Sequence, residues 1–339
     1  MRPTGPLLLI TVLQGLSGGM AVALTTALIF LRPSAELAHA VRMEPLIIVV
    51  ALAGGVASFF HMHRIQAARF VLRRLKTSWL SREALTTGLY IGGLTGLAAG
   101  IDLGNWHGAL LLGTAAGVAG LGLVAMFVTA MLYSTITAMR SWHSPLTVIA
   151  MMGVGVFSGW LVMAAIFAVV GTNPAPLREA AAVAVVLGLL LMAVKAQQWH
   201  FFAGARTSVM ASTGTGLPLG PHRLQDSGTS RIPYKTQTQI WPDLRPGPKR
   251  LLYGLMFLLL TAVPVAAMGA ISAGASPAGW FVGGAVSAVV GAFLERWLFF
   301  ADATHSSRVW FTDHVKRASR VATHRGSPAL LERYRRLSK

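Results

Sequence analysis

Long apolar runs, separated by shorter polar stretches, recur along the whole chain. A helix needs roughly 20 apolar residues to cross a ~30 Å hydrocarbon layer. Eight runs meet or approach that length: Pro6–Leu31, Glu44–His61, Glu83–Ile101, Ala109–Tyr133, Pro145–Gly171, Pro176–Ala196, Leu251–Ser272 and Ala278–Phe300. They predict an all-α fold, an integral membrane bundle of eight transmembrane helices filling 1–300. The first run is too long for the h-region of a leader peptide, and Arg32 follows it directly. Ser144 and Pro145 read as N-cap and first residue of span five, and Ser81 as the cap of span three with Glu83 in its first turn. Gly92, Gly96 and Gly100, Gly113 and Gly117, and Gly279 and Gly283 recur at four-residue spacing. That spacing predicts close backbone approach between neighbouring helices.

The polar stretches differ in kind. The connection 202–249 is rich in Ser, Thr, Gly and Pro, as in Ala211-Ser-Thr-Gly-Thr-Gly-Leu-Pro-Leu-Gly220, and reads as an irregular loop. The segment Arg64–Lys76 places Ile65, Ala68, Leu72 and Leu75 on one helical stripe among arginines, the pattern of an interfacial helix. Ser327 and Pro328 open a second basic stretch, Ala329–Leu337, within a tail at 301–339.

Composition sharpens this reading. Of 339 residues, 54% are hydrophobic and 12% charged, about half the charged share of a soluble domain. The net charge of +18 first suggests nucleic acid, but the charge lies between apolar spans rather than on a soluble face. Of the Lys and Arg residues outside span ends, 24 fall on the side holding both termini and three on the other. The positive-inside rule then puts both termini in the cytoplasm of a bacterial inner membrane. The basic loops, with Arg69, Arg73, Arg74 and Arg82 in the first, suit lipid headgroups or an acidic protein partner. With no cysteine, the chain cannot ligate an iron–sulfur cluster or a thiolate zinc site. Haem fits poorly, because the ten histidines lie almost entirely in loops or at span ends. No phosphate-binding loop occurs, and Gly153-Val-Gly-Val-Phe-Ser-Gly159 has the wrong spacing and depth for a dinucleotide motif.

Ionisable groups at membrane depth are costly, and therefore mark candidate sites. His61 and Glu295 fall about 24 Å and 25 Å into their spans from the outer face, just inside the cytoplasmic boundary, and Gln14 falls about 12 Å in from that boundary. An imidazole can donate to and accept from a quinone oxygen and move protons near neutral pH. Glu295 can relay a proton or pair with an arginine. Arg296 is expected on another side of its helix from Glu295, and Asp102 at the solvated outer end of span three.

Several motifs carry a family resemblance. His61 is followed by Ala67-Ala-Arg-Phe70 and Thr77-Ser-Trp-Leu-Ser-Arg-Glu83. Gln14-Gly-Leu-Ser-Gly-Gly19, Trp142-His-Ser-Pro145 and Glu295-Arg-Trp-Leu-Phe-Phe-Ala-Asp302 complete the set. Together they resemble the membrane-anchor family of dimethyl sulfoxide reductase (DmsC-like) from span one to span eight. The resemblance implies an anchor with no prosthetic group of its own. It would hold a molybdopterin catalytic subunit and a four-cluster iron–sulfur subunit and exchange electrons with quinone or quinol. The family's quinol-site histidine falls on His61, with Gln14, Glu295 and Arg296 as further quinone-binding candidates. Two departures stand out: a proline usual after the histidine is replaced near Ile65-Gln66, and 203–249 matches no familiar pattern. Because His61 shares the basic side, the partners are expected in the cytoplasm, as in the sulfite-oxidising branch of the family. Two rivals remain: a secondary transporter, which predicts inverted repeats and broken helices, and a purely structural anchor.

Overall fold

The computed structural model describes residues 3–30, 44–61, 65–171, 174–207 and 246–303. Within them all regular structure is helical, and eight helices run back and forth: α1 (Gly5–Phe30), α2 (Glu44–His61), α3 (Trp79–Asp102), α4 (Gly108–Ser134), α5 (Pro145–Val170), α6 (Pro174–Thr207), α7 and α8 (Pro277–Ala301). α7 is built from Pro246–Phe257, a π-helical turn Leu258–Ala262 and Val263–Ser272. Seven are long and apolar enough to cross a membrane, and α2 is shorter, with its apolar part at Pro45–Ser58. Eight crossings bring the start of α1 and the end of α8 to one face, called here the basic face. The segment 208–245 and the tail beyond Ala303, including Ala329–Leu337, lie outside the described residues.

α1 is apolar all round and sits inside the bundle, with nearly every residue from Thr11 to Ala21 buried. It crosses α5 at a glycine seam. A Cβ on Gly155 would stand 2.8 Å from the Gly15 Cα, and Cβ atoms on Gly19 and Gly159 would strike the facing backbone. The run Gly153–Gly159, excluded as a dinucleotide motif, therefore packs against Gln14-Gly-Leu-Ser-Gly-Gly19. The glycines expected to pack do not: Gly92, Gly96, Gly113, Gly117, Gly279 and Gly283 face open space. Only Gly100 of that set is enclosed, by Trp106. Four-residue spacing marks a helix stripe but not which way it faces, and here these stripes turn outward.

Helix ends show similar corrections. Ser144 caps α5, accepting from the Leu146 amide at 3.2 Å with Pro145 in the first turn, as predicted. Gly171 closes the same helix in the left-handed region at φ 91°, where a Cβ is strained. α3 starts earlier than expected. Its cap is Ser78, which accepts from the Ser81 amide at 3.3 Å, so Ser81 lies in the first turn. α6 continues to Thr207 rather than stopping at Ala196, so Lys195 and Gln198 lie within a helix.

α7 contains the deep proline. Pro264 has no N–H, which leaves the Leu259 carbonyl without a partner in the π register. Ser287 of α8 donates its hydroxyl to that carbonyl at 2.8 Å. Gly291 lets the Leu260 backbone come close enough that no Cβ would fit. The segment Ile65–Arg74 is a 3₁₀ helix rather than an α-helix. Val71 and, just past the helix, Leu75 are half-buried while Leu72 is exposed, so Leu72 leaves the predicted stripe.

Candidate functional site

The four motifs converge near the basic face. Trp142 donates its indole N–H to the Phe299 carbonyl at 3.0 Å and stacks on the Phe299 ring at 5.1 Å. Tyr133 meets Trp142, Phe299 and Phe300 edge-on. His143 donates its Nδ1–H to the Ser134 carbonyl at 2.8 Å, and so closes the end of α4. Trp142-His-Ser-Pro145 is thus a corner that fixes α4, α5 and α8 relative to one another.

Two polar clusters flank this aromatic corner. The first joins α1, α3 and α4. The Gln14 amide donates to the Thr87 hydroxyl at 2.9 Å. The Thr129 hydroxyl has two acceptors within reach, Glu83 Oε1 at 2.7 Å and Gln14 Oε1 at 3.1 Å. Its single proton serves one of them at a time. Gln14 and Thr129 are buried, while Glu83 and Thr87 are half-buried. Gly54 of α2 rests on the α1 backbone at Ile10 and Gln14. From there α2 runs seven more residues, about 10 Å, toward the basic face and ends at His61. The side chains of His61 and Arg69 lie outside the described residues.

The second cluster joins α6 and α8. Lys195 Nζ lies 2.6 Å from Glu295 Oε1 and also donates to Gln198 Oε1. Arg296 Nη2 lies 3.3 Å from Glu295 Oε2. Arg296 therefore turns back onto its neighbour instead of pointing elsewhere: a long flexible side chain buried in an apolar setting is drawn to the nearest carboxylate. All four side chains are buried. Arg296 Nε and Nη1 and Gln198 Nε2 have no partner among the described residues. Nearby, Asp302 Oδ2 receives the Tyr253 hydroxyl at 2.9 Å and Lys249 Nζ at 2.6 Å.

The structure thus separates the four sequence candidates. Gln14 belongs to the first cluster, Glu295 and Arg296 to the second, and α2 brings His61 to the basic end beside the first. Tyr133, one turn past Thr129 on α4, lies within electrostatic reach of both Glu83 and Arg296. The sequence assigns no role to Thr87, Thr129, Lys195, Gln198 and Tyr253, and marks Glu83 as a helix-start acid and the end of a family motif. Lys195 and Gln198 at i and i+3 were the available signal, hidden by ending the span at Ala196. Of the basic loop, Arg73 lies over the Phe70 ring at 4.5 Å and Arg74 is exposed. Arg82 donates to the Leu75 and Lys76 carbonyls and covers Trp79, so it holds the turn into α3. Asp102 is exposed, as expected. No metal-binding group of His, Asp or Glu occurs among the described residues.

Eight helices, seven of them long and apolar enough to span a bilayer, define a multi-pass membrane protein. Residues 2–214 match the DMSO reductase anchor subunit (DmsC) family, and the chain belongs to that family. It is also 26% identical to a sulfite dehydrogenase subunit from Allochromatium vinosum, over 92% of this chain and 99% of that protein.

Proposed function

We propose that this chain anchors a molybdopterin oxidoreductase in the bacterial inner membrane and passes electrons between an iron–sulfur partner and the quinone pool. The observation that carries this reading is the polar group Gln14–Thr87–Thr129–Glu83. It sits within the apolar bundle, half-open at Glu83 and Thr87, beside the helix that ends at His61. Polar side chains at this depth are costly without a ligand or partner to serve.

In this reading the quinone head sits beside Glu83 and the end of α2, and His61 serves one of its carbonyl oxygens. Thr129 couples Glu83 to Gln14: a proton on Glu83 turns that carboxyl into a donor and frees the Thr129 hydroxyl for Gln14. Glu295 and Arg296 stand across Tyr133 and act through charge and protons. The head is an exchangeable substrate, and this chain holds no haem and no cluster.

Both termini are cytoplasmic. Arg73 and Arg74 meet an acidic iron–sulfur subunit there, a molybdopterin catalytic subunit lies beyond it, and Arg69 of the same segment is a further docking candidate. The name of the relative favours a sulfite-oxidising complex, with electrons running into quinone.

Replacing His61 by Ala in assembled complexes tests this. Quinone-linked turnover is expected to fall with a rise in KM of roughly fivefold or more, the loss of one buried hydrogen bond. Gln14→Leu is expected to move KM in the same direction. Unchanged kinetics in both variants would remove the site.

A further inference from the structure

We propose that protons reach the quinone site from the basic face through Asp302, Tyr253 and the Lys195–Glu295 pair, with one ordered water between Tyr253 and Glu295. This rests on the quinone-reactive reading above. Reducing a quinone to a quinol takes two electrons, supplied by the iron–sulfur partner, and forms two O–H bonds. The two protons come from water on the basic side, because hydrocarbon supplies none. In the reverse direction the same groups carry them out.

The groups form a sequence inward from the basic face. Asp302 is buried at the end of α8, and Tyr253 donates to it at 2.9 Å. Tyr253 also lines a small cavity with Lys195, Gln198 and Glu295, with room for about one water. A water there has four polar neighbours, and it gives Gln198 Nε2 the acceptor that the protein lacks. Glu295 then lies one water from Tyr253 and in direct contact with Lys195.

Beyond Glu295, Arg296 pairs with its carboxylate, and Tyr133 lies within electrostatic reach of both Arg296 and Glu83. The ionisable groups against Glu295 are Lys195 from α6 and Arg296 on α8 itself, and Tyr253 from α7 lines the cavity beside it, with Lys249 and Asp302 on the far side of Tyr253. α1 and α5 carry none. A cluster that served only to pack α6 on α8 would gain from apolar replacements. It would need neither unpartnered donors nor a water-sized gap. Both are present: Gln198 Nε2 is such a donor, and Gln198, Tyr253 and Glu295 line the gap together.

The test uses the assembled complex in membranes, with Glu295→Gln and Tyr253→Phe. Turnover is read against pH with a quinone, and separately with a water-soluble ferric complex that takes electrons from the iron–sulfur partner. Quinone turnover is expected to fall roughly tenfold or more in Glu295→Gln, with a steeper decline toward high pH and partial rescue by a small weak acid such as acetate. Turnover with the ferric complex is expected to stay within about twofold of wild type, since that route takes up no proton through the anchor. Tyr253→Phe keeps the ring stack on Trp199 and is expected to show the same pattern, which settles the matter alone if Glu295→Gln fails to assemble. An unaltered pH profile, or equal loss of both activities without rescue, overturns the path. Wild-type membranes inert toward quinone overturn the quinone-reactive reading itself.

Discussion

Trp142 makes one hydrogen bond and several ring contacts, and the two contributions can be separated. Its indole N–H reaches the Phe299 carbonyl in a site where that carbonyl is buried. Trp142→Phe keeps most of the stacking and removes the donor, so a loss of about 1–3 kcal/mol is expected. Trp142→Ala also removes the ring and is expected to cost about 3–5 kcal/mol. Chemical denaturation in detergent micelles checks both, and an unchanged stability in Trp142→Phe would show that the hydrogen bond contributes nothing. The tryptophan stood out in the sequence as part of a motif. Its acceptor did not, because a backbone carbonyl 157 residues away leaves no mark on residue identity. Glu295 is similar. Its depth was legible from span length, but its partner Lys195 lies 100 residues earlier, and an ion pair is chosen by which helices are neighbours.

At the scale of the element, α7 shows how a helix tolerates a proline at membrane depth. Lipid offers nothing to a freed carbonyl, so a neighbouring helix must supply a donor. Ser287 does so. Ser287→Ala is expected to destabilise the bundle by about 1–3 kcal/mol. In a Pro264→Ala background the restored N–H can serve Leu259, and the cost of Ser287→Ala is expected to fall well below that. A double-mutant cycle measures the difference, and additive costs would refute the pairing. Pro264 stands in plain view within Leu251–Ser272, but the sequence holds no sign that α8 carries its remedy. Helix starts were better marked: Ser144-Pro145 read correctly, whereas between Ser78 and Ser81 the nearer serine to the apolar run was the wrong one.

For the whole molecule, the α1–α5 seam is the tightest join. Gly19→Leu or Gly159→Leu places a side chain where backbone already stands, and loss of the folded anchor from membranes is expected. Gly92→Leu and Gly117→Leu point into open space, and near wild-type levels are expected. Immunoblots of membrane fractions compare the four, and loss in the second pair would show that their stripes are packed after all.

Span number, helix type and the crowding of basic residues toward one side were fixed by local composition. A helix satisfies its own backbone, and the bilayer demands a set length of apolar residues, so both can be read one segment at a time. Which glycines meet, which carboxylate pairs with which lysine, and that the candidates divide into two clusters about Tyr133 were decided by the packing of helices far apart in the chain. Those contacts depend on the direction each helix face points, and hydropathy around an apolar helix carries almost no record of that direction.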